Sequence, residues 1–317
     1  MAGVSVLLLI AKLLAYYLTN SVAILTDALE SIVNVVAGFF GLYSLQLSAK
    51  PKDVDHPYGH GKIEFISAAV EGVMISCAAI FILFESVRNL IRPLPLQQLD
   101  TGILLVAVTG IVNSALGVWC LRTARRTHSM ALLASGRHLI SDTYTTLGIL
   151  AGLVLLYLTR IPWLDSAVAI LFAIIIFFTG FRIVRASVAG IMDERDKDLL
   201  RKMAEAMDRE RSKNWIDIHN IRIIKYGSTL HIDCHLTVPW YLNVHEAHEE
   251  IDKLAALVRK EFGNTIELFV HSDGCLPISC AICIKDDCPV RYHPFQRRIN
   301  WTVQNMERDE KHGVMTN

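Results

Sequence analysis

Residues 22–47 read VAILTDALESIVNVVAGFFGLYSLQL, a run in which only Asp27 and Glu30 carry charge. A helix needs about 20 mostly apolar residues to cross a bilayer. This run is long enough, and its two acids then stand where charge is costly. Five further apolar stretches flank it, at roughly 3–19, 64–90, 99–121, 131–158 and 163–187. The first is the shortest, because Asn20 follows only about sixteen apolar-rich residues. Either that helix tilts little in a thin region, or the chain begins inside what was once a longer helix. Six such runs in succession predict a membrane α-helical domain of six helices over residues 1–190.

The whole chain of 317 residues is 52% hydrophobic with a formal net charge of zero. The apolar excess lies in the first part, and beyond Asp193 the chain is crowded with Asp, Glu, Lys and Arg. This contrast predicts a separate polar domain, and the neutral balance excludes nucleic acid as a partner. The N-terminus lacks a basic region and a small-residue cleavage site, so no cleavable signal peptide is expected. Lys50, Lys52 and Lys62 lie between the second and third helices. Arg122, Arg125 and Arg126 lie between the fourth and fifth, and Arg182 and Arg185 at the end of the sixth. The other side carries only Arg88, Arg92 and Arg160. The positive-inside rule therefore predicts both termini and the polar domain in the cytoplasm. The expected location of the bundle is the cell (inner) membrane.

At about 100° per residue, Asp27, Ser31 and Asn34 share one stripe of the second helix, and Glu30 lies to one side. In the fifth helix His138 and Asp142 are four apart and point the same way. One imidazole and two carboxylates, with Ser31 or Asn34 able to add an oxygen, form a mixed N/O set that suits Zn²⁺ and its neighbours. A site where protons and a cation compete for the same lone pairs supports antiport. The bland alternative is that His138 and Asp142 merely bond each other inside the bundle. Glu71 and Glu85 of the third helix are weaker candidates. The loop after the second helix packs Asp53, Asp55, His56, His60 and Glu64 into a segment broken by Pro57, Gly59 and Gly61. It is flexible enough to fold around an ion.

Together, the run Ser21 to Ser31, the loop His56-Pro-Tyr-Gly-His60-Gly-Lys-Ile-Glu64 and the pair His138/Asp142 resemble the cation diffusion facilitator family, over about residues 3–275. The resemblance implies a homodimer of six-helix subunits, each with a cytoplasmic ferredoxin-like domain, working as an alternating-access metal/proton antiporter. It also implies a transport site at Asp27, Ser31, His138 and Asp142; Ser31 departs from the usual acid, so Asn34, Glu30 or water is left to supply the fourth ligand. A loop metal site falls on Asp53, His56 and His60, and a cytoplasmic one on His235, His248, His271 and Asp273. The loop between helices four and five is short and holds only His128, so a bacterial-type exporter is the better match.

Beyond Asp193 the pattern is α-β-β-α-β over residues 193–275: a charged helical stretch at 193–212, strand-like runs at 216–225 and 229–238, an amphipathic helix at 244–262, and a last strand at 265–270. Tyr226-Gly227-Ser228 is the hairpin signal. This order resembles a small ferredoxin-like layer on an antiparallel sheet. His245-Glu246-Ala-His248 is no metalloprotease motif, because its histidines are three apart. A C-terminal tail, residues 276–317, continues from Cys275 through Cys280, Cys283 and Cys288. Four thiols at this spacing suit a closed zinc site better than an iron–sulfur cluster, whose fourth cysteine lies farther along; unpaired reduced thiols are the alternative. Residues after Arg297 show no pattern, and disorder is expected at the terminus.

The function expected is efflux of a divalent metal, zinc first, with cadmium, iron, cobalt or manganese as alternatives. A membrane-anchored metal sensor is the competing class. The spans hold no nucleophile-base set, so an enzyme is not expected.

Overall fold

A computed structural model describes residues 2–127, 130–227, 229–263 and 265–313. His128, Ser228 and the side chain of Arg125, all used in the sequence reading, lie outside the described residues. The chain divides into two compact units, Met1–Leu45 with Ile66–Val188, and Gln46–Phe65 with Ala189–Asn317.

The first unit is built on α1 (Ala2–Thr19), α2 (Val22–Ser48), α3 (Ile63–Ile91), α4 (Leu99–Thr127), α5 (Met130–Thr159) and α6 (Trp163–Ile191). α2 to α6 each contain a stretch long and apolar enough to cross a membrane. The 18 residues of α1 reach only about 27 Å at 1.5 Å per residue, a little short of a ~30 Å hydrocarbon core. Phe39, Phe84, Leu104, Ile111 and Phe178 are more than half exposed. Water would make that costly, whereas lipid does not, so helices apolar all round are consistent with a bilayer. Asn20 and Arg160 take positive φ, which ends α1 and α5.

Two devices hold this unit in register. Asp165, buried in the first turn of α6, caps α2: Ser21 Oγ donates to Oδ1 at 2.5 Å and the Val22 N–H to Oδ2 at 2.7 Å. The carboxylate thus satisfies N–H groups that have no partner within the helix and meets the positive end of its dipole. α3 and α6 meet through glycines. A Cβ on Gly180 would stand 2.8 Å from the Gly72 carbonyl oxygen, and one on Gly72 2.9 Å from that of Gly180. Small residues at such crossings are how membrane helices gain close packing.

The second unit runs α7 (Lys197–Arg209), β1 (Asp217–Tyr226), β2 (Thr229–Val238), α8 (Val244–Phe262), β3 (Ile266–Gly274), a 3-10 turn (Pro277–Ala281) and α9 (Val303–Met306). Asn243 and Glu246 form a reciprocal capping box that starts α8. Gly227 turns the hairpin at φ +58, a left-handed conformation cheap only without a Cβ. The sheet order is β1-β2-β3. β1 and β2 pair antiparallel, but β2 and β3 pair parallel, so the sheet is mixed and not antiparallel as expected. The reason is α8, which carries the chain back to the starting end of the sheet before β3 begins. Met203, Ile218, Ile232, Leu236 and Leu254 form the core.

The patternless residues after Arg297 are packed onto this unit, while the end of the terminus, residues 314–317, where disorder is expected, lies outside the described residues. Trp301 and Met306 join the same core, with Trp301 under the guanidinium of Arg211 at 4.1 Å from the ring centre. The Asn220 N–H donates to the Arg308 carbonyl at 2.8 Å. No hydrophobic periodicity announces this segment because single anchors and a four-residue helix, too short to show a period, hold it.

Candidate metal sites

In the first unit, α2 presents Asp27 to the interior, where it is 1% exposed. Lys12 of α1, equally buried, donates to Asp27 Oδ1 at 2.8 Å and to Ser31 Oγ at 2.9 Å. Thr146 of α5 adds a bond to Asp27 Oδ1 at 2.9 Å, and Asp27 Oδ2 has no hydrogen-bond partner. One turn further along, Asn34 Nδ2 donates to Asp142 Oδ2 at 3.0 Å, and His138 Nε2 lies 3.7 Å from the same oxygen. Ser31 Oγ accepts from Lys12 and donates to the Asp27 carbonyl one turn back at 2.9 Å.

The set Asp27, His138 and Asp142 is therefore close but not converged. Among the described residues, the trios of ligand atoms within 4.8 Å of one another lie elsewhere. Lys12, which the sequence reading missed, occupies Asp27 Oδ1 and Ser31 Oγ. A lone lysine in an apolar run was its signal, and its register against α2 was not readable.

Two cavities meet at this point. One, of about 450 Å³, is lined by Lys12, Ser31, Asn34, Asn113, His138 and Asp142. The other, of about 390 Å³, is lined by Glu30, Asn34, Glu71, His138, Asp142 and Thr145, among others. Asn34, His138 and Asp142 line both, so these three side chains form the partition between them.

In the second unit the loop trio is drawn together. The His56 N–H donates to Asp53 Oδ1 at 2.6 Å, His56 Nδ1 is 3.1 Å from that oxygen, and His60 Nε2 is 3.4 Å from Asp53 Oδ2. The His56 amide and ring hold the Asp53 carboxyl below its ordinary value. A carboxylate and two imidazoles in reach of one point are a fit donor set for a divalent metal.

The other trio is His219, His235 and Asp273. His235 Nδ1 is 3.2 Å and His219 Nε2 3.5 Å from Asp273 Oδ2. The register explains the grouping. His219 pairs with His235 across β1 and β2, and His235 with His271 across β2 and β3. Three imidazoles thus form one row across the sheet, with Asp273 two residues along β3. His271 is next to the trio, its ring 4.7 Å from that of His235. His248 is not brought in: it stands exposed on α8, 3.9 Å from Asp252. His219 is the member the sequence reading did not find; only strand register could show it. Behind it, burial opposes ionisation of Asp217, yet bonds from His219 and His312 hold that carboxyl well below the usual range. Lys311 Nζ lies 3.4 Å from Asp273 Oδ1.

Comparison with known proteins gives the frame for these sites. Residues 1–192 match the family model for the cation efflux transmembrane domain, and residues 196–275 that for the cation efflux protein cytoplasmic domain, a dimerisation domain. The chain is 31% identical over 238 residues to an uncharacterized transporter of Synechocystis sp., covering 75% of this chain and 77% of that protein. It is 30% identical over 273 residues to the cation-efflux pump FieF of Salmonella paratyphi A, covering 84% and 88%. The FieF of Salmonella newport is 29% identical over the same span. The chain is thus a multi-pass membrane protein and a transporter, not an enzyme, and it belongs to the cation efflux, or cation diffusion facilitator, family.

Proposed function

We propose that this protein exports a divalent transition metal, zinc first, from the cytoplasm in exchange for protons, as a homodimer of six-span subunits with both termini cytoplasmic. The observation that carries the reading is that Asn34, two turns along α2 from Asp27, lines two cavities together with His138 and Asp142. Alternating access requires ligands that can be reached through more than one cavity, and these three line two. The proposed transport ligands are Asp27, His138 and Asp142, with Ser31 or Asn34 supplying an oxygen. The proposed division is a transport domain at 1–190, a ferredoxin-like metal-binding domain at 193–275, and a tail at 276–317.

Metal entering the cytoplasmic side displaces a proton from His138 and the Lys12 ammonium from Asp27. The helices rock, the site opens outward, and protons return His138 to its charged form, releasing the metal. Nitrogen and oxygen donors together favour zinc over magnesium or calcium. The Asp53/His56/His60 loop and the His219/His235/His271/Asp273 row bind metal outside the membrane and favour the dimer.

The test is zinc uptake into inverted vesicles carrying a proton gradient. Wild type accumulates zinc and releases protons, and Asp142→Ala falls to background. An Asp142→Ala protein that transports like wild type rejects the site. Zinc binding without flux in wild type would make the protein a sensor.

A further inference from the structure

Four thiols lie apart from the three sites above. Cys275 follows β3, Cys280 lies in the 3-10 turn, and Cys283 and Cys288 lie in the segment after it. All are free, and Cys280 and Cys283 are buried. The fold brings the four to one cavity of about 170 Å³, whose wall also holds Lys285 and Arg291. Only Cys275 falls within the matched family segments.

The surroundings are those of a thiolate site. The N–H of Lys285 is directed at Cys283 Sγ two residues back, and the N–H of Trp240 at Cys275 Sγ. Backbone N–H bonds stabilise sulfur as an anion. The Arg291 guanidinium donates to the carbonyls of Cys280 at 3.0 Å and Cys283 at 3.3 Å, and to that of Lys285. It thereby fixes the loop that carries the central pair. Four thiolates around a divalent ion leave two negative charges; the Arg291 guanidinium brings a positive charge to the same wall, where Lys285 is paired with Asp287 at 3.2 Å. No three of these sulfurs lie within 4.8 Å of one another, so the thiols must draw in around the cavity to hold an ion at about 2.3 Å.

We propose that Cys275, Cys280, Cys283 and Cys288 bind one zinc ion in a closed tetrahedral site that clasps residues 276–313 to the sheet. Binding releases the four thiol protons and changes no oxidation state. The clasp lies at the root of the segment that delivers Trp301 and Met306 to the core and His312 to Asp217. The inference stands independently of the transport reading.

The test is cobalt(II) substitution of the full-length protein, purified under reducing conditions, together with elemental analysis. Thiolate-to-cobalt charge-transfer absorption is expected in wild type and, unchanged, in Asp142→Ala and His235→Ala. It should vanish in Cys283→Ser, with loss of one zinc per chain. Should Cys283→Ser fail to fold, alkylation of wild type decides: bound zinc protects all four thiols, and a chelator exposes them together. A cobalt spectrum with no sulfur charge transfer, iron in place of zinc, or two disulfides in metal-free protein would each overturn the proposal.

Discussion

At the proposed transport site, Lys12 already holds the carboxylate oxygen that an incoming divalent cation would need. Lys12 Nζ is 2.8 Å from Asp27 Oδ1, and both side chains are all but inaccessible. Breaking a buried pair by removing one partner costs about 3–5 kcal/mol, because a buried charge is left alone. Lys12→Met should therefore lower the melting temperature of metal-free protein in detergent. It should also bind zinc more tightly, by tenfold or more, since each ~1.4 kcal/mol of lost competition is a factor of ten. Zinc should restore most of the lost melting temperature. Equal zinc affinity in the variant and wild type would show that Lys12 serves packing alone. This residue also marks a limit of sequence reading. Asp27, His138 and Asp142 were visible as acids and imidazole in apolar runs. The cation that neutralises one of them was visible only as a residue, because no periodicity gives the rotation of α1 against α2.

Among the elements, the helices were legible because lipid demands long apolar runs, and α8 because its amphipathic face repeats at helical period. β3 was legible as a strand but not in its direction, which depends on where α8 delivers the chain. His219 was lost for the same reason: a register shift between His219 and Arg222 separates sequence position from sheet position. Two predictions belong at this scale. Gly180→Leu drives a side chain into the Gly72 backbone, which cannot rotate away as a side chain can. Overpacking of this kind costs about 1–3 kcal/mol, so the melting temperature in detergent should fall, whereas Gly38→Ala, with open space at its Cβ, should leave it unchanged. The second concerns the cap of α7. Asp196 accepts from the Leu199 N–H at 2.9 Å and from Lys225 at 2.5 Å, and the Lys225 bond first, then the cap, hold its carboxyl below the ordinary 3.8. A depressed carboxyl contributes stability above its unfolded pKa and loses it as the pH falls through the folded value. Wild-type stability should thus decline on acidification from about pH 4 downward. Asp196→Asn should be less stable at pH 7 and should flatten that decline; an unchanged slope would remove Asp196 from the account.

At the scale of the molecule, each unit carries its own metal-fit donors, so their roles can be separated by experiment. Binding to the folded state alone stabilises by RT ln(1 + [L]/Kd), about 2.7 kcal/mol when zinc stands at 100 times its Kd. The row of His219, His235 and His271 beside Asp273 should supply such a term to the second unit, and Lys311 must yield Asp273 for it to do so. If the family's dimerisation domain reads zinc through this row, the dimer dissociation constant should fall on adding zinc to wild type. His219→Ala with His235→Ala should abolish that fall and still move zinc at high concentration. Asp142→Ala should show the reverse, a zinc-tightened dimer that moves none. Linkage makes the coupling reciprocal: whatever zinc does for dimerisation, dimerisation does for zinc affinity. Diluting the wild-type protein through its dimer dissociation range should then weaken zinc binding at the row by the same factor. A row whose affinity is indifferent to protein concentration would mean that zinc and the dimer interface are uncoupled, and regulation would have to be sought in the loop of Asp53, His56 and His60.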